Sequence, residues 1–205
     1  MKWLDIEAKV FNVGTYRREN GAPQPPASFF DTANEEGERV RRAAAELAVK
    51  DMMLWFKQGT GTVAILDATN STKARRRWIQ GKCDAEGIAT LFVESKCDDH
   101  DLIMHNILDV KTSSPDYKDK DADEAAMDFM NRIRMYEKVY ETIDDDESDL
   151  TYLKIMNVGK QVIINRIQDY LQSRVVYYLM NLHIKPRSIW LSRVSLTLPF
   201  GVFRC

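Results

Sequence analysis

Cysteine is scarce. The 205 residues hold only Cys83, Cys97 and Cys205, with no C-x-x-C pair. An odd count without a framework excludes a disulfide scaffold and reads as reduced thiols in a cytoplasmic chain. Histidine is equally sparse, and His100, His105 and His183 form no H-E-x-x-H pattern, which argues against a zinc site. No stretch approaches the ~18 apolar residues of a membrane span. The N-terminus is charged within its first five residues and lacks the apolar core of a signal peptide. Neither sign of charge dominates, with 31 acidic against 29 basic side chains. That balance argues against a general nucleic-acid binder, which carries a strong basic excess. Also missing is a G-x-x-x-x-G-K-[S/T] loop to cradle phosphates. Gly159-Lys160 is followed by Gln161 and has Lys154 where the first glycine belongs, while Gly81-Lys82 is followed by Cys83 and has Arg76 there.

What is present suits one α/β domain or at most two small ones, with an apolar share of 44%. Residues 9–13 read as a strand ending at Gly14, and the prolines at 23, 25 and 26 mark a loop. Val40, Ala44, Leu47, Ala48, Met52 and Trp55 recur at helical spacing over residues 34–58, with Asn34 as cap. The continuous run 63–66 predicts a strand covered on both faces. Further helices are expected over 72–85, 98–110, 121–140 and 167–182, and further strands over 88–94, 152–158 and 161–165. Strands alternating with helices predict a mainly parallel sheet with flanking helices. Ligands collect beyond the C-terminal strand ends of such sheets. Three of those ends, 12–18, 67–70 and 94–99, are polar or charged.

Asp67 closes the 63–66 strand, where a carboxylate can serve a magnesium–phosphate site; capping the next helix explains it equally well. Arginines cluster at 17–18, 39–42, 75–77 and 132–134. Convergent guanidiniums grip phosphate with paired hydrogen bonds, whereas a solvated helix face needs no convergence. Arg132 and Tyr136 share a helix face, though Tyr136 also fits the core stripe. Lys111 stands in a loop from which it can reach a phosphate or simply solvent. Cys97, at a strand end, is either a reactive thiol or a small buried residue.

Taken together, these segments resemble the kinase half of the bifunctional 6-phosphofructo-2-kinase/fructose-2,6-bisphosphatase family. The resemblance rests on Lys9-Val10-Phe11-Asn12-Val13-Gly14 with Tyr16-Arg17-Arg18-Glu19, and on Asp67-Ala68-Thr69-Asn70-Ser71-Thr72. It continues through Val93-Glu94-Ser95 with Cys97-Asp98-Asp99, and Val110-Lys111 with Ser113-Ser114-Pro115-Asp116-Tyr117. It ends with Gln172-Ser173-Arg174 and Tyr177-Tyr178-Leu179-Met180-Asn181. The resemblance implies a P-loop kinase-like fold and transfer of the γ-phosphate of ATP, with Mg2+, to the 2-hydroxyl of fructose 6-phosphate. It places Arg17, Arg41, Thr69, Arg75, Lys111, Arg132 and Tyr136 at the sugar phosphate. It sets Asn106, Ile107, Leu108, Asp109, Val110 and Lys111 against ATP. Asp67, Cys97 and Lys111 take active-site positions, with Asp67 at the metal.

Two departures shape the expectation. The family's first, central strand and its P-loop belong before Trp3, so the expected sheet lacks that strand and ATP lacks its cradle. At the other end Arg193 is followed by Val194-Ser195-Leu196 in place of the phosphatase motif, which implies no bisphosphatase chemistry. Residues 1–191 are therefore expected to form a shortened kinase domain, and 192–205 an unrelated, poorly ordered tail. The chain is expected to have weak or no kinase activity. The alternative is a non-catalytic sugar-phosphate-binding protein, or a regulatory partner of a full-length relative, as a homodimer or heterodimer.

Overall fold

The computed structural model describes residues 6–21, 23–59, 61–111, 114–117 and 121–181, without the side chains of Val110 and Lys111. Strand β1 (Ala8–Asn12) leads directly into helix α1 (Val13–Glu19), because the Asn12 side chain accepts from Thr15 N and caps the helix. Sequence reading took residues 13–18 only as a polar strand end; a seven-residue helix carries too few apolar positions to show a period. The proline-rich loop ends in a 3-10 turn, Ala27–Phe30. Helix α2 (Glu35–Lys57) starts where Asn34 accepts from Gly37 N, as its capping pattern predicts. Strand β2 (Val63–Asp67) and helix α3 (Lys73–Asp84), capped by Thr72, follow the expected spans closely.

Strand β3 (Phe92–Lys96) lies a few residues beyond its expected place. Helix α4 (His100–Asn106) gives way to a π turn at Ile107–Lys111, so the helix expected to run to residue 110 changes pitch in its last turn. Helix α5 (Ala122–Glu137) is capped by Asp121. Strands β4 (Tyr152–Met156) and β5 (Gln161–Asn165) and helix α6 (Tyr170–Met180) complete the described fold. Leu182, the end of the last expected helix, and the tail at 192–205 lie outside the described residues.

The strands do not form the expected mainly parallel sheet of a P-loop kinase fold. β1 and β2 make a two-stranded parallel sheet, and β3, β4 and β5 make a separate mixed one. β4 and β5 are antiparallel because only residues 157–160 join them. A parallel return needs a crossover of a dozen or more residues. The turn is tight enough to hold Asn157, Val158 and Gly159 at positive φ. Helices dominate: α2 alone has 23 residues, while each strand has five. The run 63–66 is not covered on both faces either, since Ile65 is 48% exposed.

The larger buried cluster joins β1, α2 and α3 through Phe11, Val49, Met52, Trp55, Ile79 and Cys83. Phe11 and Trp55 meet edge to face at 5.9 Å. A glycine at 61 lets the chain pass beneath the indole, since a Cβ there would sit 2.2 Å from the Trp55 ring. Burial pushes the Cys83 thiol pKa up, as for an inert core sulfur. A second cluster, Ile143, Leu150 and Tyr152, packs against Phe92.

One buried ion pair ties these regions together. Arg76 on α3 reaches Glu147 with two hydrogen bonds, and Nη1 donates to the carbonyls of Glu141 at 2.8 Å and Asn70 at 3.3 Å. Both side chains are at most 5% exposed. Losing one partner of such a pair strands the other charge. Glu147→Ala should therefore lower unfolding stability by about 3–5 kcal/mol in urea titrations. Glu36→Ala, which removes the exposed pair with Arg39, should change stability far less in the same titration.

Candidate functional site

The parallel register of β1 and β2 sets Asn12 beside Asp67 at the C-terminal ends of both strands. Asn12 Nδ2 donates to the Asp67 carboxylate while its oxygen caps α1. A cavity of about 990 Å³ opens at these strand ends and is walled by α1, α2, α3 and α5. Its lining includes Arg17, Arg41, Asp67, Thr69, Arg75, Arg132 and Tyr136, seven of the residues expected at the site. Among the remaining expected residues that are described with side chains, Cys97 and residues 106–109 do not line it. Cys97 is half-buried, with Sγ 3.9 Å from the Asp99 carbonyl, and stands outside the cavity. Residues 106–109 stand at the end of α4 and in the π turn, also outside it. There Ile107 is buried, and His105 Nε2 lies 3.1 Å from the Asp109 carboxylate. The side chain of Lys111 lies outside the described residues.

The arginine clusters separate on folding. Of Arg75, Arg76 and Arg77, only Arg75 reaches the cavity; Arg76 takes the buried Glu147, and Arg77 pairs with Asp149 at the surface. Of the cluster on α2, Arg39 pairs with Glu36, whereas Arg41 and Arg42 face the cavity. One helical turn sends successive side chains in different directions, so adjacency in sequence does not produce convergence.

One carboxylate organises much of the cavity wall. Arg17 Nη2 donates to both oxygens of Asp116, at 2.7 and 2.8 Å, and Arg18 Nη1 adds a contact at 3.3 Å. Arg132 Nη1 donates to the same carboxylate at 2.9 Å. Every nitrogen of Arg132 is engaged, since Nε also donates to Asp128 at 3.0 Å and Nη2 to the Pro25 carbonyl at 2.8 Å. Tyr117 Oη also donates to Asp128. The Phe30 ring lies against two of these guanidiniums, 5.4 Å from Arg17 and 4.5 Å from Arg132. Burial alone would raise the Asp116 pKa, but the hydrogen bonds and charges of Arg17 and Arg132 outweigh it and hold it below the ordinary carboxylate value.

Arg41 and Arg75 differ from these, because among the described residues neither forms an ion pair with a carboxylate. Arg41 donates to the Phe29 carbonyl and lies 5.7 Å from the Phe29 ring. This close approach needs a glycine at 37, where a Cβ would sit 2.3 Å from the Phe29 carbonyl oxygen. Arg75 stacks on Trp78 at 4.4 Å, and burial lowers its pKa. Burial, opposed by the nearby Arg41 and Thr69, raises the Tyr136 phenol's pKa, so it stays a neutral hydroxyl. Neutral hydroxyls, half-buried guanidiniums and a strand-end carboxylate suit a phosphorylated polyol better than a hydrophobic ligand.

Sequence reasoning took Asp116 only as part of a matching motif and did not see its three arginines. The partners lie 98, 99 and 16 residues away, beyond any local spacing signal. Trp78 and Phe30, which support the arginines, were equally invisible. No group of three or more His, Cys, Asp or Glu that could hold a metal ion occurs among the described residues, and none of their helices is long and apolar enough to cross a membrane.

The cavity thus places an arginine-lined candidate site of this α/β protein at the strand ends. The sequence profile described as 6-phosphofructo-2-kinase matches residues 1–186, and the chain belongs to that family. It is 44% identical over 195 residues to fructose-2,6-bisphosphatase of Saccharomyces cerevisiae, covering 94% of this chain and 43% of that one. It is 45% identical over 194 residues to human 6-phosphofructo-2-kinase/fructose-2,6-bisphosphatase 4, covering 94% and 41% respectively. Similarity to 6-phosphofructo-2-kinase/fructose-2,6-bisphosphatase 3 of Rattus norvegicus is 44% over 195 residues, 94% of this chain and 35% of that protein. The chain spans less than half the length of these relatives, and the part it matches is the kinase region.

A carboxylate whose pKa is depressed by folding stabilises the protein above its unfolded value, here 3.8, and ceases to do so as pH falls through its lower folded value. Asp116→Asn should cost about 2 kcal/mol at neutral pH, since it weakens hydrogen bonds from charged donors. Urea unfolding of both proteins across pH should give a constant difference above about pH 5 that narrows below about pH 4.

Proposed function

We propose that this chain supplies the sugar-phosphate side of a 6-phosphofructo-2-kinase, which transfers the γ-phosphate of ATP to the 2-hydroxyl of fructose 6-phosphate. The observation that carries this reading is the convergence on one cavity of two guanidiniums without carboxylate partners, Arg41 and Arg75, beside Tyr136, Thr69 and the strand-end Asp67. Arg41 and Arg75 grip the 6-phosphate as charge-assisted donors, and Arg17 joins them from the opposite wall. Arg132, all of whose nitrogens are engaged, serves by fixing Asp116 and through it Arg17. Tyr136 and Thr69 orient the sugar.

Asp67 fits a single carboxylate ligand for Mg2+, because that ion is commonly held by one or two carboxylates together with substrate phosphates. When bound, the ion neutralises charge on the transferring phosphoryl group. Asn12, hydrogen-bonded to Asp67, fixes the carboxylate's orientation. Lys111, Cys97 and residues 106–110 are assigned to the nucleotide side, a reading supported by their family positions and by the placement of Cys97 and 106–109 off the sugar cavity.

The second reading is binding without catalysis, as a sugar-phosphate sensor or a regulatory partner of a longer relative. The 205 residues contain no G-x-x-x-x-G-K-[S/T] pattern, so this polypeptide by itself supplies no such cradle for the ATP phosphates. Positioning and electrostatics supply nearly all catalysis in phosphoryl transfer, so the 205-residue polypeptide assayed by itself should turn over ATP and fructose 6-phosphate negligibly. Calorimetry should nevertheless detect fructose 6-phosphate binding. Arg41→Ala or Arg75→Ala should weaken that binding at least tenfold, about the worth of one charge-assisted hydrogen bond. Unchanged affinity in both variants would remove the sugar phosphate from this cavity.

A further inference from the structure

Six arginines line the cavity: Arg17, Arg18, Arg41, Arg42, Arg75 and Arg132. Five spend N–H donors on protein acceptors: Arg17, Arg18 and Arg132 on Asp116, Arg42 on Glu46, and Arg41 on the Phe29 carbonyl. Among the described residues the Arg75 guanidinium donates no hydrogen bond, and none of its nitrogens is sealed from solvent. Glu46 on α2 attracts it, but that carboxylate is bonded to Arg42 at 3.2 Å.

What holds Arg75 is the Trp78 ring, one turn on along α3, with the guanidinium carbon 4.4 Å from the ring centroid. Stacking uses the flat face of the guanidinium. Its N–H donors lie in the plane and point outward from the edge, so a ring restrains the cation without consuming a donor. A carboxylate would restrain it too, but would occupy the donors that a phosphate needs. Burial of apolar surface does not by itself call for an indole at this position. The side chain is only half-buried and borders two cavities, the main one and a smaller one of about 440 Å³ between α2 and α3.

We propose that Trp78 is a positioning residue: its ring face aims Arg75, and Arg75, with every donor unspent, is the anchor of the phosphate. The assignment rests on the sugar-phosphate reading above and adds a residue to it. It requires an aromatic ring at 78, not merely an apolar side chain of similar bulk. Because the anchor grips the phosphate and not the sugar, losing the ring weakens inorganic phosphate and fructose 6-phosphate by the same factor.

The test is calorimetric titration of the 205-residue chain with fructose 6-phosphate and, separately, with inorganic phosphate. Trp78→Met and Trp78→Leu keep apolar bulk without a ring, and should weaken both ligands about threefold to tenfold, the worth of a partly desolvated cation–ring contact. Trp78→Phe and Trp78→Tyr keep a ring face and should bind within about twofold of the wild-type chain. Urea unfolding checks that the compared variants are folded, and one folded variant of each pair is enough. In an Arg75→Ala background, Trp78→Met should cause no further loss, since the ring then has no cation to aim. A tryptophan that serves only packing gives equal losses in ring and aliphatic variants, or the same loss with Arg75 absent. Either result, or aliphatic variants that bind like the wild-type chain, overturns the assignment and leaves the sugar-phosphate reading standing. Unchanged affinity in both Arg41→Ala and Arg75→Ala overturns that reading and this assignment together.

Discussion

Asp116 faces three guanidiniums at once, and the cavity depends on that imbalance. Arg17 and Arg18 come from α1 and Arg132 from α5, so one carboxylate joins two helices far apart in the chain. Positive charge still outnumbers negative at this wall, even with Asp128 taking a second contact from Arg132. An assembled cluster with residual positive potential is what a phosphate dianion needs, because the cost of bringing the arginines together is met by the protein's own carboxylates before any ligand arrives. Replacing part of that arrangement by loose surface lysines would recover charge without recovering position.

The opposite wall is organised by different means. Arg75 is held by stacking on Trp78, and Arg41 by a carbonyl and an aromatic ring. Neither tether neutralises the guanidinium. The cavity therefore combines arginines already balanced by acids, which give rigidity, with arginines held by neutral groups, which retain their charge for a ligand. The buried Arg76–Glu147 pair supports the cavity indirectly, since it fixes the segment between β2 and α3 that carries Thr69 and Asn70, and the first turn of α3 that carries Arg75.

The parts of this arrangement legible in the sequence were those governed by local physics. Asn34 marked a helix start because its side chain bonds within three residues, and the helices expected from 72 and 121 begin one residue later, where Thr72 and Asp121 cap them. The polar strand end at Asp67 was legible for a similar reason. The sheet was not: pairing partners are chosen by distant segments, and the short 157–160 connection reversed β5 against β4 where alternating elements had suggested parallel strands. Family motifs pointed to the seven cavity residues before any contact could be seen. What no spacing rule contained was the division of labour among neighbouring arginines, in which Arg75, Arg76 and Arg77 take three separate environments.

Helix α2 carries Arg41 near its start and buries Trp55 near its end, where the indole meets Phe11. At the usual rise per residue the two positions are about 21 Å apart, so the helix acts as a lever arm. A pivot of about 2° at the indole would swing the guanidinium by about 0.7 Å, a large fraction of the tolerance of a hydrogen bond. The angular fit of one tryptophan in the core thus sets the aim of a cation about 21 Å away. Substitutions that leave the cavity's own residues untouched can misalign it from the far end of the rod.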